Sequence, residues 1–187
     1  MIHMRVLISL LRGVNVGGHH KVKMEELRAL YESLGFEDVR THINSGNVVF
    51  KSAERDLAGL RLRIERAIEK AWGFHADVIL RTHSDLKGVI ARNPFAGRRD
   101  IEPSKLAIHF LVAAPSADAR ERVRAIEAAE EFHLDGRELF IYYVNGMARP
   151  SVSQAQLEKI VGGSGTSRNW NTVRKLVEMA EAGEASG

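Results

Sequence analysis

The order in which hydrophobic period changes along the first half of the chain constrains it more than any other feature. Met4, Val6, Ile8 and Leu10 fall on one face of an extended segment, and Leu7 and Leu11 make the other face apolar, as a central strand covered on both sides requires. Met24, Leu27, Leu30, Tyr31 and Leu34 then recur at helical spacing, with Gly35 as the stop. Val39 to Ile43 and Val48 to Lys51 read as two strands around Asn44-Ser45-Gly46-Asn47, a turn in which Gly46 can supply a positive φ. Leu57, Leu60, Ile64, Ala67, Ile68 and Ala71 form an amphipathic stripe, and Ala76, Val78 and Leu80 alternate as a further strand. Strand, helix, strand, strand, helix, strand is the split βαβ order of a ferredoxin-like unit.

A second pass follows. Leu106, Ile108, Phe110 and Val112 alternate, Asp118 to Ala129 is helical in pattern, and Phe132 to Leu134 and Leu139 to Val144 flank the hairpin signal Asp135-Gly136. Gln154 to Val161 reads as a short helix and Gly162-Gly163-Ser164-Gly165 as a flexible connector. Where a sixth strand would stand, Trp170, Val173, Leu176, Val177 and Ala180 have helical spacing instead. The expected fold is α+β, with two ferredoxin-like βαββα(β) halves built on antiparallel sheets and closed by a C-terminal helix. The halves are placed at 1–92 and 105–187, the connector at 93–104, where Pro94, Gly97 and Pro103 oppose regular structure. Gly183 to Gly187 is expected to be frayed.

A chain of 187 residues with 44% hydrophobic and 27% charged residues has the composition of a globular protein with a real core. Because it contains no cysteine, disulfides, Fe–S clusters and thiolate zinc sites are excluded. The apolar stretch near the start is too short for a signal sequence, and no run approaches the ~18 apolar residues of a membrane helix, so the cytoplasm is the expected address and a membrane is not an expected partner. The formal charge of +3 is too small for a strong long-range field, and no tail concentrates it. Nucleic acid stays open as a partner, and no sequence feature selects an oligomeric state.

Three polar segments could carry chemistry. The loop from Arg12 through Gly13, Asn15, Gly17, Gly18 and Lys21 to Lys23 leaves a strand and enters a helix, where backbone N–H groups can hold an anion. Gly13 and Gly18 have the glycine spacing of a Walker A loop, but His19-His20 stands where Lys and Ser or Thr would contact phosphate and Mg²⁺. Glycines there also suit a tight strand exit with no ligand at all. The second segment, with Thr41, Ser45, Gly46 and Asn47, surrounds one hairpin, and turns favour such residues for their own geometry. The third, Thr166-Ser167-Arg168-Asn169-Trp170-Asn171-Thr172, opens a helix with more polar groups than one cap requires, while Trp170 itself begins an apolar stripe and is expected in the core. The eight histidines lack metal-ligand spacing, so no metal site is expected. No Gly-x-Ser-x-Gly elbow surrounds any serine.

Leu11-Arg-Gly-Val-Asn-Val-Gly-Gly18, Lys23-Met24, Leu27-Arg28, Leu34-Gly35-Phe36 and Val39-Arg-Thr-His-Ile-Asn-Ser-Gly-Asn-Val-Val-Phe50 closely resemble the opening of the bacterial proteins grouped as domain-of-unknown-function family 1697. Asn93-Pro94-Phe95 and Thr166-Ser-Arg-Asn-Trp-Asn-Thr-Val173 resemble its middle and closing motifs, so the likeness spans roughly residues 4 to 180. Two positions depart: His42 stands where the family usually has tyrosine and Asn44 where it has glutamine. The resemblance implies an α+β fold of two ferredoxin-like halves and brings no activity with it.

The leading expectation is a small, anionic, phosphate-bearing ligand held by the Arg12–Lys23 loop and the Ser167–Asn171 segment. Arg12 and Arg168 would pair with phosphate oxygens, Gly17 and Gly18 would admit backbone amides, and Asn15, Ser45, Asn47 and Asn169 would orient the rest. Arg168 is expected as an exposed cation. A transferase or hydrolase using the same cleft is the alternative, with His42 or His20 as the base. A third is a nucleic-acid or protein interaction module on a sheet face, although no RNP-like aromatic signature is present. No catalytic residue and no cofactor is assigned.

Overall fold

The computed structural model describes residues 4–186. It contains two compact units. One comprises the described residues up to Gly88 together with those from Lys175 onward; the other is Val89–Arg174. The division therefore falls inside two helices, and the stretch 93–104 lies within the second unit.

The first unit runs β1 (Arg5–Leu11), α1 (Met24–Ser33), β2 (Glu37–His42), β3 (Asn47–Ser52), α2 (Leu57–Trp72) and β4 (Val78–Thr82). Its four strands are antiparallel in the order β2-β3-β1-β4, the ferredoxin-like arrangement. The pleat explains the two apolar faces of β1. Leu7 and Leu11, with Val48, Phe50, Val78 and Leu80, pack against Leu27 and Tyr31 of α1 and Leu60, Ile64 and Ile68 of α2. Val6, Ile8 and Leu10 lie on the other face and are buried as well.

Two polar contacts lock the helices to this sheet. The Tyr31 and Ser9 hydroxyls lie 2.7 Å apart inside the core, where burial pushes the Tyr31 phenol well above its ordinary range. Buried Glu65 of α2 accepts from Arg61 at 2.8 Å and from the Val78 amide at 3.0 Å, fixing the helix against the start of β4. Asp56 caps α2 by accepting from the amides of Ala58 and Gly59.

Helix α3 (His83–Ala91) follows β4 directly, an element that the hydrophobic period does not mark. Its signal was present: Thr82 and Asp85 satisfy each other's amides at 2.8 and 3.0 Å, a capping box with aspartate in the usual glutamate place.

The second unit repeats the pattern. It contains β5 (Leu106–Leu111), α4 (Ala119–Arg124), β6 (Glu131–Asp135), β7 (Glu138–Tyr142), α5 (Gln154–Val161) and β8 (Gly165–Asn169), with antiparallel order β6-β7-β5-β8. Leu111, Leu139 and Ile141 pack with Val123 of α4 and Leu157 and Val161 of α5. Ser153 and Gln156 form a full capping box at α5, and Gly162, at φ 74, ends it.

The sixth strand, absent from the hydrophobic pattern, is therefore present as β8. It occupies Gly165-Thr-Ser-Arg-Asn, whose side chains give no apolar alternation, and it is held by pairing with β5 from Leu111↔Gly165 to Ala107↔Asn169. The last helix, α6 (Trp170–Ala185), starts where that strand ends. Gly183 to Ala185, expected to be frayed, belongs to α6. A Cβ at Gly183 would lie 3.4 Å from Val6 Cγ2 and 2.8 Å from Arg40 Nη2, so the helix end is packed tightly on the first unit. Gly187 lies outside the described residues.

Candidate functional site

In the first unit the glycine loop is a compact, doubly tied structure. Gly17 and Gly18 have φ of 59° and 78°, and the His19 amide bonds the Val16 carbonyl at 3.0 Å, a tight turn that needs positive φ at both central residues. Asn15, itself left-handed at φ 56, binds both directions of its surroundings. Its Nδ2 donates to the carbonyls of Val22 and Asn44, both at 2.9 Å, and its Oδ1 accepts from the Val22 amide at 2.8 Å. One side chain thus closes the loop and joins it to the β2–β3 hairpin. His20 stacks on Phe74, with ring centroids 4.1 Å apart and an interplanar angle of 6°, so this histidine packs the loop onto the unit.

The loop delivers the chain to α1, whose first residues follow Lys23 with no side-chain cap. An open cleft of about 840 Å³ lies at this helix start, lined by Asn15, Gly18, Lys21, Lys23, Asn44 and the carboxylates of Glu25 and Glu26. Lys23 approaches Glu26 at 3.7 Å. Arg12 stands beside Asp77 at 3.5 Å and does not line the cleft.

The hairpin residues are placed by backbone demands. Gly46 has φ 72, and a Cβ there would meet Leu11 Cβ at 2.8 Å, while its carbonyl accepts from the Leu11 amide at 2.9 Å. Asn47 is fully buried and donates to the His42 carbonyl at 3.0 Å. Ile43 is a β-branched residue held at φ 48 and half exposed, a strained position at the hairpin tip. Thr41 pairs with Val48 and Ser45 stays partly exposed. Partial burial and the charge of Lys175 both push the His42 imidazole below its ordinary value, so it favours the neutral form.

In the second unit the pleat of β8 separates its polar residues. Ser167 and Asn169 share one face of the strand, and Arg168 lies on the other. Arg168 is the expected exposed cation that the fold buries: it is 7% exposed, with Nη1 donating to Thr166 Oγ1 at 2.8 Å and to the Ser167 carbonyl at 3.0 Å. Burial lowers its pKa to about 10, so it remains a cation at neutral pH. It is buried because the pleat of β8 along its pairing with β5, and not residue polarity, decides which way a side chain points. Asn169 donates to the Ser104 carbonyl at 3.0 Å and accepts from the Asn171 amide at 2.9 Å, capping α6, while Asn171 is exposed.

Residues 4–140 match the family described as "Protein of unknown function (DUF1697)". The chain belongs to that family. It is also similar to a solved structure, the conserved bacterial protein SP0830 from Streptococcus pneumoniae, at 26% identity and a TM-score of 0.73, over 95% of this chain and 99% of that one. No curated protein matches.

Within this DUF1697 chain, the departure at Asn44 leaves the loop-to-hairpin tie intact, because the tie uses its backbone carbonyl. His109 belongs to none of the three polar segments of the sequence. It sits in the apolar alternation of β5, on the face that carries Ala107 and Leu111, and is fully buried with Nδ1 2.9 Å from the hydroxyl of exposed Ser167. A polar residue inside an apolar period was the available signal. Gly165 makes the pairing possible, since a Cβ there would lie 2.6 Å from His109 Nε2. Among the described residues no group of three or more His, Cys, Asp or Glu is placed to hold a metal ion, and no helix is long and apolar enough to cross a membrane.

Proposed function

We propose that this DUF1697 protein binds a small anionic, phosphate-bearing ligand in the cleft at the start of α1. The carrying observation is an uncapped helix N-terminus opening into a cleft that Asn15 pre-shapes and Lys21 and Lys23 flank. Free amides and the helix dipole favour negative charge there, and two flexible cations can close over it. Because Lys23 already meets Glu26, the opposing charge left for a ligand is Glu25, which limits how far an anion enters along the helix. Arg12, Ser45 and Asn47 belong to this reading as neighbours that shape the loop and hairpin. Arg168, Asn169 and Asn171 belong to the second unit and do not line this cleft, so the reading does not use them. Titration with sugar phosphates, nucleotides and inorganic pyrophosphate at low salt should raise the melting temperature by mass action. The rise should disappear in the Lys21→Ala/Lys23→Ala double variant. A flat response across all of them overturns the proposal.

A second reading, acyl or phosphoryl transfer, is favoured by the 2.9 Å contact between the exposed Ser167 hydroxyl and buried His109 Nδ1, the relation of a nucleophile to its base. A fluorophosphonate probe would then attach to Ser167, with the Oγ–P bond forming, fluoride leaving and His109 taking the proton. Absence of label on Ser167 rejects it.

A further inference from the structure

The second unit holds a hollow of about 300 Å³ where α4 lies alongside β6. Arg92, Arg120 and Arg124 stand around it, Phe132 and Leu134 supply apolar surface, and Asp135 is the one carboxylate in its lining. A smaller hollow of about 250 Å³ shares Arg120 and Leu134 with it and adds Arg137. The combined space falls in the size range of small-molecule sites, which pair apolar walls with a few placed polar groups.

We propose that this two-lobed hollow binds an organic phosphate carrying a planar ring, with the phosphate between Arg120 and Arg124 and the ring against Phe132. Charge accounting within the hollow selects the anion. Arg92 is already matched, its Nε 2.7 Å from Asp135 and its Nη2 3.4 Å from Glu138. Arg122, on the same short helix, is matched by Asp118 at 3.1 Å. Arg120 and Arg124 line the hollow, are exposed, and make no ion pair among the described residues. They are four residues apart, so they share one face of α4, a like-charge pair that weakens a helix unless an anion lies between them. A phosphate dianion answers two guanidinium groups with oxygen geometry that suits their planar forks, which one carboxylate charge does not.

The ring follows from the wall. Phe132 packs on the core while remaining partly exposed, so it offers an aromatic surface to the hollow beside two cations. A flat conjugated group gains there by stacking on the phenyl and under the guanidinium planes, whereas inorganic phosphate gains only the charge contacts.

This site uses none of the residues of the α1 cleft, so the two stand or fall separately. The test is calorimetric titration at low salt with 4-nitrophenyl phosphate, inorganic phosphate and 4-nitrophenol. The ester should bind at least tenfold more tightly than either fragment. Arg120→Ala/Arg124→Ala should weaken it at least tenfold with the melting temperature preserved, because both side chains are exposed, and Phe132→Leu should bring the ester close to inorganic phosphate. Lys21→Ala/Lys23→Ala should leave its affinity unchanged. No saturable binding, equal affinity for inorganic phosphate, or binding that survives the arginine changes and follows the lysines overturns the proposal.

Discussion

Replacing Asn15 tests how the glycine loop is held. Three hydrogen bonds end on this side chain: donations to the carbonyls of Val22 and Asn44, both at 2.9 Å, and acceptance from the Val22 amide at 2.8 Å. The Val22 pair is partly buried, so about 1 kcal/mol each is reasonable, while the exposed bond to Asn44 contributes about 0.5 kcal/mol. Alanine would also have to adopt φ 56, at roughly 1–2 kcal/mol for a residue with a Cβ and no local side-chain hydrogen bond. Asn15→Ala should therefore cost about 3.5–4.5 kcal/mol and Asn15→Gly about 2.5 kcal/mol, since glycine loses the bonds but tolerates the backbone. Urea unfolding with an unchanged slope measures both, and the Val22 amide should exchange faster in each variant. If alanine and glycine were equally stable, left-handed strain would play no part. If both lay within about 0.5 kcal/mol of the parent, the side chain would not be the clasp described above.

Arg168→Ala should destabilise the second unit by about 2–4 kcal/mol, opposite to the small effect expected of an exposed cation, because it empties a buried position and strips the Thr166 hydroxyl of its partner; a loss under about 0.5 kcal/mol in urea unfolding would contradict that burial. Gly165→Ala should cost more than about 2 kcal/mol, since its Cβ would stand 2.4 Å from the Phe110 carbonyl oxygen, a backbone atom that cannot swing away; a thermal melt at the parent temperature would refute it. His42 titrates lower in the fold than the 6.5 of a free imidazole, so as the pH falls through that value the unfolded chain binds more protons and stability falls with acidification. The loss begins near the unfolded pKa and levels off below the folded one. His42→Gln should flatten that acid-side slope and Lys175→Met should reduce it; an unchanged slope in both would remove His42 as the source.

Local periodicity carried most of the architecture. The helical stripes of α1 and α2, the turn glycine at Gly46, the Asp135-Gly136 hairpin and the span of α5 were all legible, because each is decided by neighbours a few residues apart. The same was true of the two ferredoxin-like halves and of the family. What tertiary structure alone decided involves partners distant in the chain. Strand β8 exists because β5 offers it a free edge of N–H and C=O groups, and a backbone ladder leaves no mark in side-chain polarity. That ladder then fixes the pleat, which turns Arg168 away from Ser167 and Asn169 and sets Ser167 opposite His109, pairings that no spacing could reveal. The loop histidines are a parallel case: His20 is explained by Phe74, a ring contributed from beyond α2, and Asn15 by a carbonyl in the next hairpin. Sequence determined which segments are helices, turns and apolar strands, whereas the direction in which each polar side chain points was settled only when the sheets formed, because strand pairing and not polarity assigns the faces.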